Sequence, residues 1–235
     1  MNFQKTPVTL ILAGIALAIE LVCVFDEDRR NFYYNTAQLG IWVQIWDWQV
    51  WRPFTTTVLH GNLLHMAMNL SVLLAFGPVL EHHLGSYRYL ALIALLAYMS
   101  SLAQYIVGGY SVPIEQQGGL VGLSGVLFGF AGVLSVGRRY HSDLAMVFRP
   151  ETMRFIGIWF LACVVLTQIG LLRIGNIAHG AGFAFGALYG MALFSHRHRR
   201  LWISAATVAT VLVLATMIAC PGHEAYEHIK AVRGW

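Results

Sequence analysis

The sequence predicts an all-α polytopic membrane protein, and three observations carry that prediction. Of its 235 residues, 57% are hydrophobic and 11% charged, with a mean hydropathy of +0.62, whereas a soluble domain carries about 25% charged residues. Seven apolar stretches approach the roughly 20 residues that a bilayer core about 30 Å thick demands of a helix. Glu20 is the only formally charged residue within them. This composition excludes a soluble dinucleotide-binding enzyme and a disulfide-stapled secreted module. It also argues against a nucleic-acid partner, because the basic residues behind the net charge of +4 fall in short clusters between apolar runs, as membrane topology requires.

The stretches run approximately from 7 to 25, 59 to 80, 89 to 107, 118 to 136, 155 to 172, 174 to 194 and 201 to 220. The first follows Lys5 as a signal peptide would, but no small-x-small cleavage site succeeds it, so it reads as a retained helix. The long first loop, roughly 26 to 58, holds Trp42, Trp46, Trp48 and Trp51. Ile41, Trp42, Ile45 and Trp46 fit an amphipathic element lying in the outer interface. Cys23, Cys163 and Cys220 each sit in an apolar run and read as small buried hydrophobes. With no internal repeat and no low-complexity linker, the chain forms one membrane domain.

Lysine and arginine set the sidedness, being retained on the cytoplasmic side. With the N-terminus inside, the inner segments hold Lys5, Arg88, Arg138, Arg139, Arg149, Arg154, Arg197, Arg199 and Arg200. The outer ones hold Arg29, Arg30, Arg52, Arg173, Lys230 and Arg233. Nine against six favours a cytoplasmic N-terminus, and the seventh stretch then leaves the C-terminal tail outside.

Under that topology the second, fourth and sixth stretches start on the outer face. His65 lies six residues past Leu59, Ser124 six past Gly118 and His179 five past Ile174. At 1.5 Å per residue, all three sit roughly 8 to 9 Å below the start of their stretches. Asn69 follows His65 by four residues and shares its helix face. A polar cluster in hydrocarbon is costly without partners or a cavity, which marks a functional site.

Ser124 and His179 supply the minimum for covalent acyl transfer, a hydroxyl nucleophile and an imidazole able to take and return its proton. His65 and Asn69 have the chemistry to donate to a developing oxyanion. Gly122 and Gly125 flank the serine, and Gly182, Gly186 and Gly190 recur every four residues after His179, a spacing that lets membrane helices approach closely. Each motif alone has a plainer reading: a packing serine, a proton-relay histidine, a tightly packed helix. Their coincidence at one depth is what favours catalysis.

At these residues the chain resembles the rhomboid intramembrane serine proteases. The resemblance covers about positions 50 to 194, through Trp51-Arg52, HGNLLHMAMN from His60 to Asn69, GLSG from Gly122 to Gly125, and AHGAGFAFG from Ala178 to Gly186. It implies a rhomboid-like six-helix catalytic domain over 1–200, followed by an additional transmembrane helix at 201–220 and a short polar tail at 221–235. It further implies Ser124 as nucleophile and His179 as base in a dyad lacking aspartate. His65, Asn69 and the Ser124 backbone N–H would form the oxyanion site, and His60 would be structural or water-retaining. Gln104 corresponds to a water-binding residue, and Glu81 to Ser86 resembles the family's inner turn. Phe128 stands where many bacterial relatives carry a tyrosine packed against the catalytic histidine, so the ring face is kept and the hydroxyl is lost. No metal or organic cofactor is implied. The implied partners are the lipid bilayer and transmembrane protein substrates with small residues at the cut and an easily unwound helix.

Glu20, five residues before the outer end of the first stretch, lies roughly 7.5 Å deep. It is a candidate for orienting His179 or lining a cavity. A water-exposed or protonated glutamate is the plainer reading. A transporter is the main alternative from another class, but no paired charges trace a path through the bilayer. A pseudoprotease that binds membrane helices without cutting them is disfavoured by the presence of both Ser124 and His179. A zinc protease is weaker: His223 and His228 beside Glu224 are five apart, about 140° around a helix, and His82-His83 reads as a solvated turn. The short chain without an organelle-targeting leader favours a bacterial inner membrane with the site towards the extracytoplasmic side. Oligomeric state and individual substrate are not encoded in these motifs.

Overall fold

Prolines start three of the helices and an asparagine caps a fourth in the computed structural model, which describes residues 6–37, 49–108 and 120–219. Helix α1 (Pro7–Phe25) starts on Pro7, whose fixed φ suits a first turn and whose missing N–H is not needed there. Polar α2 (Glu27–Ala37) puts Glu27 and Asp28 in its first turn, at the positive end of its dipole. The short α3 (Arg52–Thr55) runs into a 3-10 turn at Thr56–Val58. Asn62 caps α4 (Leu63–Leu84), its side chain accepting from the His65 N–H at 2.9 Å. Gly85, at φ 79°, turns the chain into α5 (Ser86–Ala103), which ends in a π turn over Gln104–Gly108. Helices α6 (Ser124–Gly137), α7 (Ser142–Val147), α8 (Pro150–Gln168), α9 (Asn176–Phe194) and α10 (Arg199–Ala219) follow. Among the described residues the regular elements are all helical, as an all-α polytopic membrane protein requires. The tryptophan-bearing stretch 38–48, the loop 109–119 and the tail from 220, with the histidines weighed there as a zinc motif, lie outside the described residues.

Six of these helices are long and apolar enough to cross a bilayer, namely α1, α4, α5 with its π turn, α8, α9 and α10. The seventh apolar helix, α6, has 14 residues, which span about 21 Å, roughly 9 Å less than a bilayer core. It is buried along almost its whole length, while α8 and α10 face mostly outward. A short helix is tolerated there because the irregular backbone flanking it packs against protein instead of lipid.

Several helices depart from the apolar boundaries of the sequence: α8 runs Pro150–Gln168 where the sequence predicts 155 to 172, and two starts differ at the polar residues. The second span begins at Leu63 instead of 59, because Asn62 captures the His65 N–H and so becomes the cap. The fourth begins at Ser124 instead of 118, because Gly122 takes φ 112°, a conformation no continuing helix contains. His65, Ser124 and His179 therefore stand in the first turns of their helices.

The core of the fold is the seam between α6 and α9, its most extensive helix pair. A Cβ on Gly182 would overlap the Gly125 carbonyl, one on Gly186 the Gly129 carbonyl, and one on Gly132 the Phe183 carbonyl. The glycines spaced every four residues thus let two backbones touch, as their pattern predicts. On the far side of α9, α10 is fastened by the Tyr189 hydroxyl, which donates to Thr210 Oγ1 at 2.8 Å while Thr210 donates to Ala206. Helix α10 thus braces α9 from behind.

Glu81 ties the first span to the second. Its carboxylate, 1% exposed, accepts from the Val8 N–H at 2.9 Å, the Thr9 N–H at 2.8 Å, Thr9 Oγ1 at 2.8 Å and Ser86 Oγ at 2.7 Å. It supplies α1 with the acceptors its first-turn N–H groups lack. Bonds to an ionised acceptor contribute about 1.5–3 kcal/mol each, and the donors left behind are buried. Glu81→Ala is therefore expected to cost about 3 kcal/mol or more, measured as a lowered unfolding midpoint in detergent, with Glu81→Gln intermediate.

Candidate active site

The first turns of α4, α6 and α9 converge. Ser124 is the first residue of α6 and His179 the fourth of α9, and the glycine seam between these helices sets the separation of the two side chains. Ser124 Oγ lies 2.7 Å from His179 Nε2, in hydrogen-bonding contact. The imidazole is 6% exposed and lies against Phe128, ring centroids 4.4 Å apart and planes 18° from parallel. Phe160 of α8 supports Phe128 edge-on at 5.9 Å. Among the described residues nothing bonds His179 Nδ1, so the serine–histidine pair stands without a carboxylate behind it.

Gly122 sets the second half of the geometry. A Cβ there would lie 2.7 Å from His65 Cε1, 2.9 Å from His65 Nε2 and 3.6 Å from Asn69 Nδ2, so the His65 ring and the Asn69 amide close on the backbone two residues before Ser124. Both space and the positive φ demand glycine at this position. The Gly122 N–H donates to the Thr56 carbonyl at 3.1 Å, and Thr56 Oγ1 donates to the Leu120 carbonyl. Asn69 Nδ2 donates one hydrogen to the His65 carbonyl at 3.1 Å and keeps a second. As the opening residue of α6, Ser124 also has a backbone N–H without an intrahelical acceptor.

Of the other sequence candidates, Gly125 packs beside Ser100, where a Cβ would lie 2.6 Å from Ser100 Oγ. His60 is fully buried, its Nδ1 3.3 Å from the Val58 carbonyl and its ring edge-on to His65 at 5.2 Å. Gln104 sits in the π turn and its side-chain oxygen accepts from the Ala178 N–H at 3.0 Å, so it caps the first turn of α9 one residue before His179. Glu20 is buried, but the structure does not bring it to His179. Helix α1, which carries it, packs chiefly against α4, with smaller contacts to α2 and α5, and not against α9.

The contacts of α2 expose what sequence reasoning missed. Arg30 Nη2 donates to the Gly61 carbonyl at 3.0 Å and lies over the Tyr34 ring, while the Tyr34 hydroxyl donates to the His60 carbonyl. Burial pushes the Tyr34 phenol above its ordinary value, opposed by the Arg30 guanidinium, so it stays protonated and donating. Helix α2 thereby holds the segment 59–62 leading into α4 and His65. Trp51 Nε1 donates to the Thr36 carbonyl at 3.3 Å and Arg52 Nη2 to the Asn35 carbonyl at 2.6 Å, fastening the end of α2 to the same segment. The one sequence signal was Arg30 and Tyr34 four residues apart on a helix face.

A hydroxyl bonded to a stacked imidazole, beside two further donors and a free helix N–H, has the parts for acyl transfer. The rhomboid domain family model matches residues 47–196, a stretch that contains every one of those groups. The chain belongs to the rhomboid family. It is 27% identical over 192 residues to a protein named rhomboid protease GlpG of Haemophilus influenzae, covering 80% of this chain and 91% of that one. A rhomboid protease GlpG of Serratia proteamaculans is 30% identical over 201 residues, covering 85% of this chain and 66% of the relative. Rhomboid-like protein 15 of Arabidopsis thaliana is 27% identical over 199 residues, covering 81% and 47%. The chain therefore spans almost the whole of the first relative and less than half of the plant one. In this rhomboid the Phe128 ring keeps its stack on His179 without a hydroxyl.

Proposed function

We propose that this protein is an intramembrane serine endopeptidase that hydrolyses peptide bonds in or beside the transmembrane segments of membrane proteins. The observation that carries the reading is the 2.7 Å contact of Ser124 Oγ with His179 Nε2, stacked on Phe128. Ser124 Oγ attacks the carbonyl carbon as its proton passes to Nε2. The Ser124 N–H, His65 and Asn69 donate to the oxyanion of the tetrahedral intermediate. His179 then protonates the leaving amine, and the acyl-enzyme forms. Water, deprotonated by the same nitrogen, attacks the ester and releases the carboxylic product. The catalytic unit is residues 1–200, with the helix at 201–220 an addition that braces it.

The basic residues support a cytoplasmic N-terminus, with Ser124 towards the extracytoplasmic side of a bacterial inner membrane. Substrates of the expected class are single-span proteins with small residues at the cut and a helix that unwinds readily, since a peptide bond inside an intact helix is shielded by its own hydrogen bonds.

Labelling of the detergent-solubilised protein with a fluorescent fluorophosphonate tests this reading. Wild type is expected to label, and Ser124→Ala and His179→Ala not to. A folded wild type that the probe can enter but does not label would return a helix-binding or transport role to the front. Where a cleavable transmembrane reporter is found, His65→Ala and Asn69→Ala are each expected to lower kcat by about 10²–10³ with KM little changed, because a lost oxyanion donor weakens the transition state alone.

A further inference from the structure

At the far end of α6 from Ser124 the chain gathers a second polar cluster, which takes no part in the reaction proposed above. His83 comes from the last turn of α4, His141 immediately precedes α7, and Asp143 lies in the first turn of α7. Their nitrogen and carboxylate ligand atoms all lie within 4.8 Å of one another. His83 Nδ1 stands 3.4 Å from Asp143 Oδ2, longer than a good N–H···O hydrogen bond. It matches one edge of a tetrahedron of nitrogen and oxygen ligands about 2.0–2.1 Å from a zinc ion, which is about 3.4 Å long. The two imidazole rings are 4.2 Å apart, centroid to centroid. His82, next in sequence, is exposed and outside the cluster, so the pair read as a solvated turn divides into one solvated and one clustered histidine.

We propose that His83, His141 and Asp143 form a binding site for a divalent zinc ion. Two neutral imidazoles and a carboxylate are borderline ligands that suit zinc, and three protein ligands leave the fourth position open. Beside the two histidines lies a cavity of about 350 Å³, bordered also by Arg88 and Arg199, with room for that fourth ligand. The two guanidiniums make an anionic fourth ligand, such as hydroxide, the better fit there. The role is structural. Phe194, at the end of α9, packs its ring on both histidines at 5.5 and 5.2 Å. Zinc therefore joins the ends of α4 and the α6–α7 connection and rests on the end of α9. Those are the helices that carry His65, Ser124 and His179 at their opposite ends.

The test is zinc titration of the full chain, tag-free and chelator-washed in detergent, read by calorimetry and by the unfolding midpoint. One zinc per chain is expected, with a midpoint that rises with zinc concentration, because a ligand of the native state alone stabilises it by mass action. Losing an outer-shell partner typically weakens metal binding 10–100-fold, so removing a ligand outright in His83→Gln or Asp143→Asn is expected to weaken it about a hundredfold or more and to abolish the midpoint rise. His82→Gln is expected to bind as wild type does. If His83→Gln fails to fold, the half-exposed Asp143 makes Asp143→Asn the deciding variant. No zinc uptake by wild type at millimolar concentration overturns the proposal. So does uptake that survives both cluster substitutions, which would place the metal on other histidines, or uptake that His82→Gln abolishes.

Discussion

Ser124→Ala is expected to lower turnover of a transmembrane reporter by about 10⁴-fold or more while leaving the protein folded. The reason lies in what the oxygen does in each state. In the folded resting protein it makes one hydrogen bond, to His179, whose loss costs stability only about 1 kcal/mol. In the proposed reaction it forms the covalent bond on which the route through an acyl-enzyme depends. His179→Ala is expected to reach a similar loss of turnover with a larger loss of stability, since it also empties a buried site and strips Phe128 of its stacking partner. The double variant is expected to be no worse in turnover than either single one, because the two groups act as a unit. Single-turnover kinetics and unfolding midpoints on the same preparations separate the two effects. A Ser124→Ala enzyme retaining a tenth of wild-type turnover would remove the serine from the mechanism.

Gly186→Ala is the substitution expected to do most damage to the fold for a single added methyl. Its Cβ would overlap the Gly129 carbonyl of the facing helix, and backbone cannot move aside as a side chain can. The helices must separate instead, which loosens contacts along the whole α6–α9 seam. Overpacking a core commonly costs about 1–3 kcal/mol, and a backbone clash belongs at or beyond the top of that range. Separation also carries Ser124 and His179 apart, because the two residues ride on the two sides of the seam. Fluorophosphonate labelling is therefore expected to fall even where the variant remains folded. Gly157→Ala on α8 is the control: nothing lies within 4 Å of the added methyl, and exchanging a helical glycine for alanine is expected to stabilise by up to about 1 kcal/mol. Equal midpoints for the two variants would overturn the account of the seam.

Much of this site was legible before any coordinates. Hydropathy located the seven apolar stretches, and α1 and the ends of α9 fall within a residue or two of where the sequence put them. The serine, the two histidines and the asparagine were marked by polar chemistry inside apolar runs. The glycines after His179 announced close contact by their spacing. The family resemblance put Phe128 against the histidine, and its ring stacks on the imidazole. What hydropathy did not report is the late start of α6 at Ser124, because a positive φ at Gly122 is a dihedral angle and leaves no trace in an apolar profile. Gln104 was read as a water binder, and the structure shows its side-chain oxygen capping α9.

What the sequence by itself determined is the set of properties that neighbours along the chain decide: which segments are apolar enough to span, which face of each helix is small, and which residue types stand ready for acyl transfer. What only the tertiary structure decided is which distant groups meet. Glu81 reaches the backbone of Val8 and Thr9 across more than seventy residues, and His83 meets Asp143 across sixty. Glu20 rides on α1, which packs against α4 and not against the α9 helix of His179. The physical reason is that a local pattern fixes the axis and the buried face of a helix. The register of one helix against another is set by packing, where a missing Cβ at Gly182 or a capping carboxylate at Glu81 shifts what lies opposite.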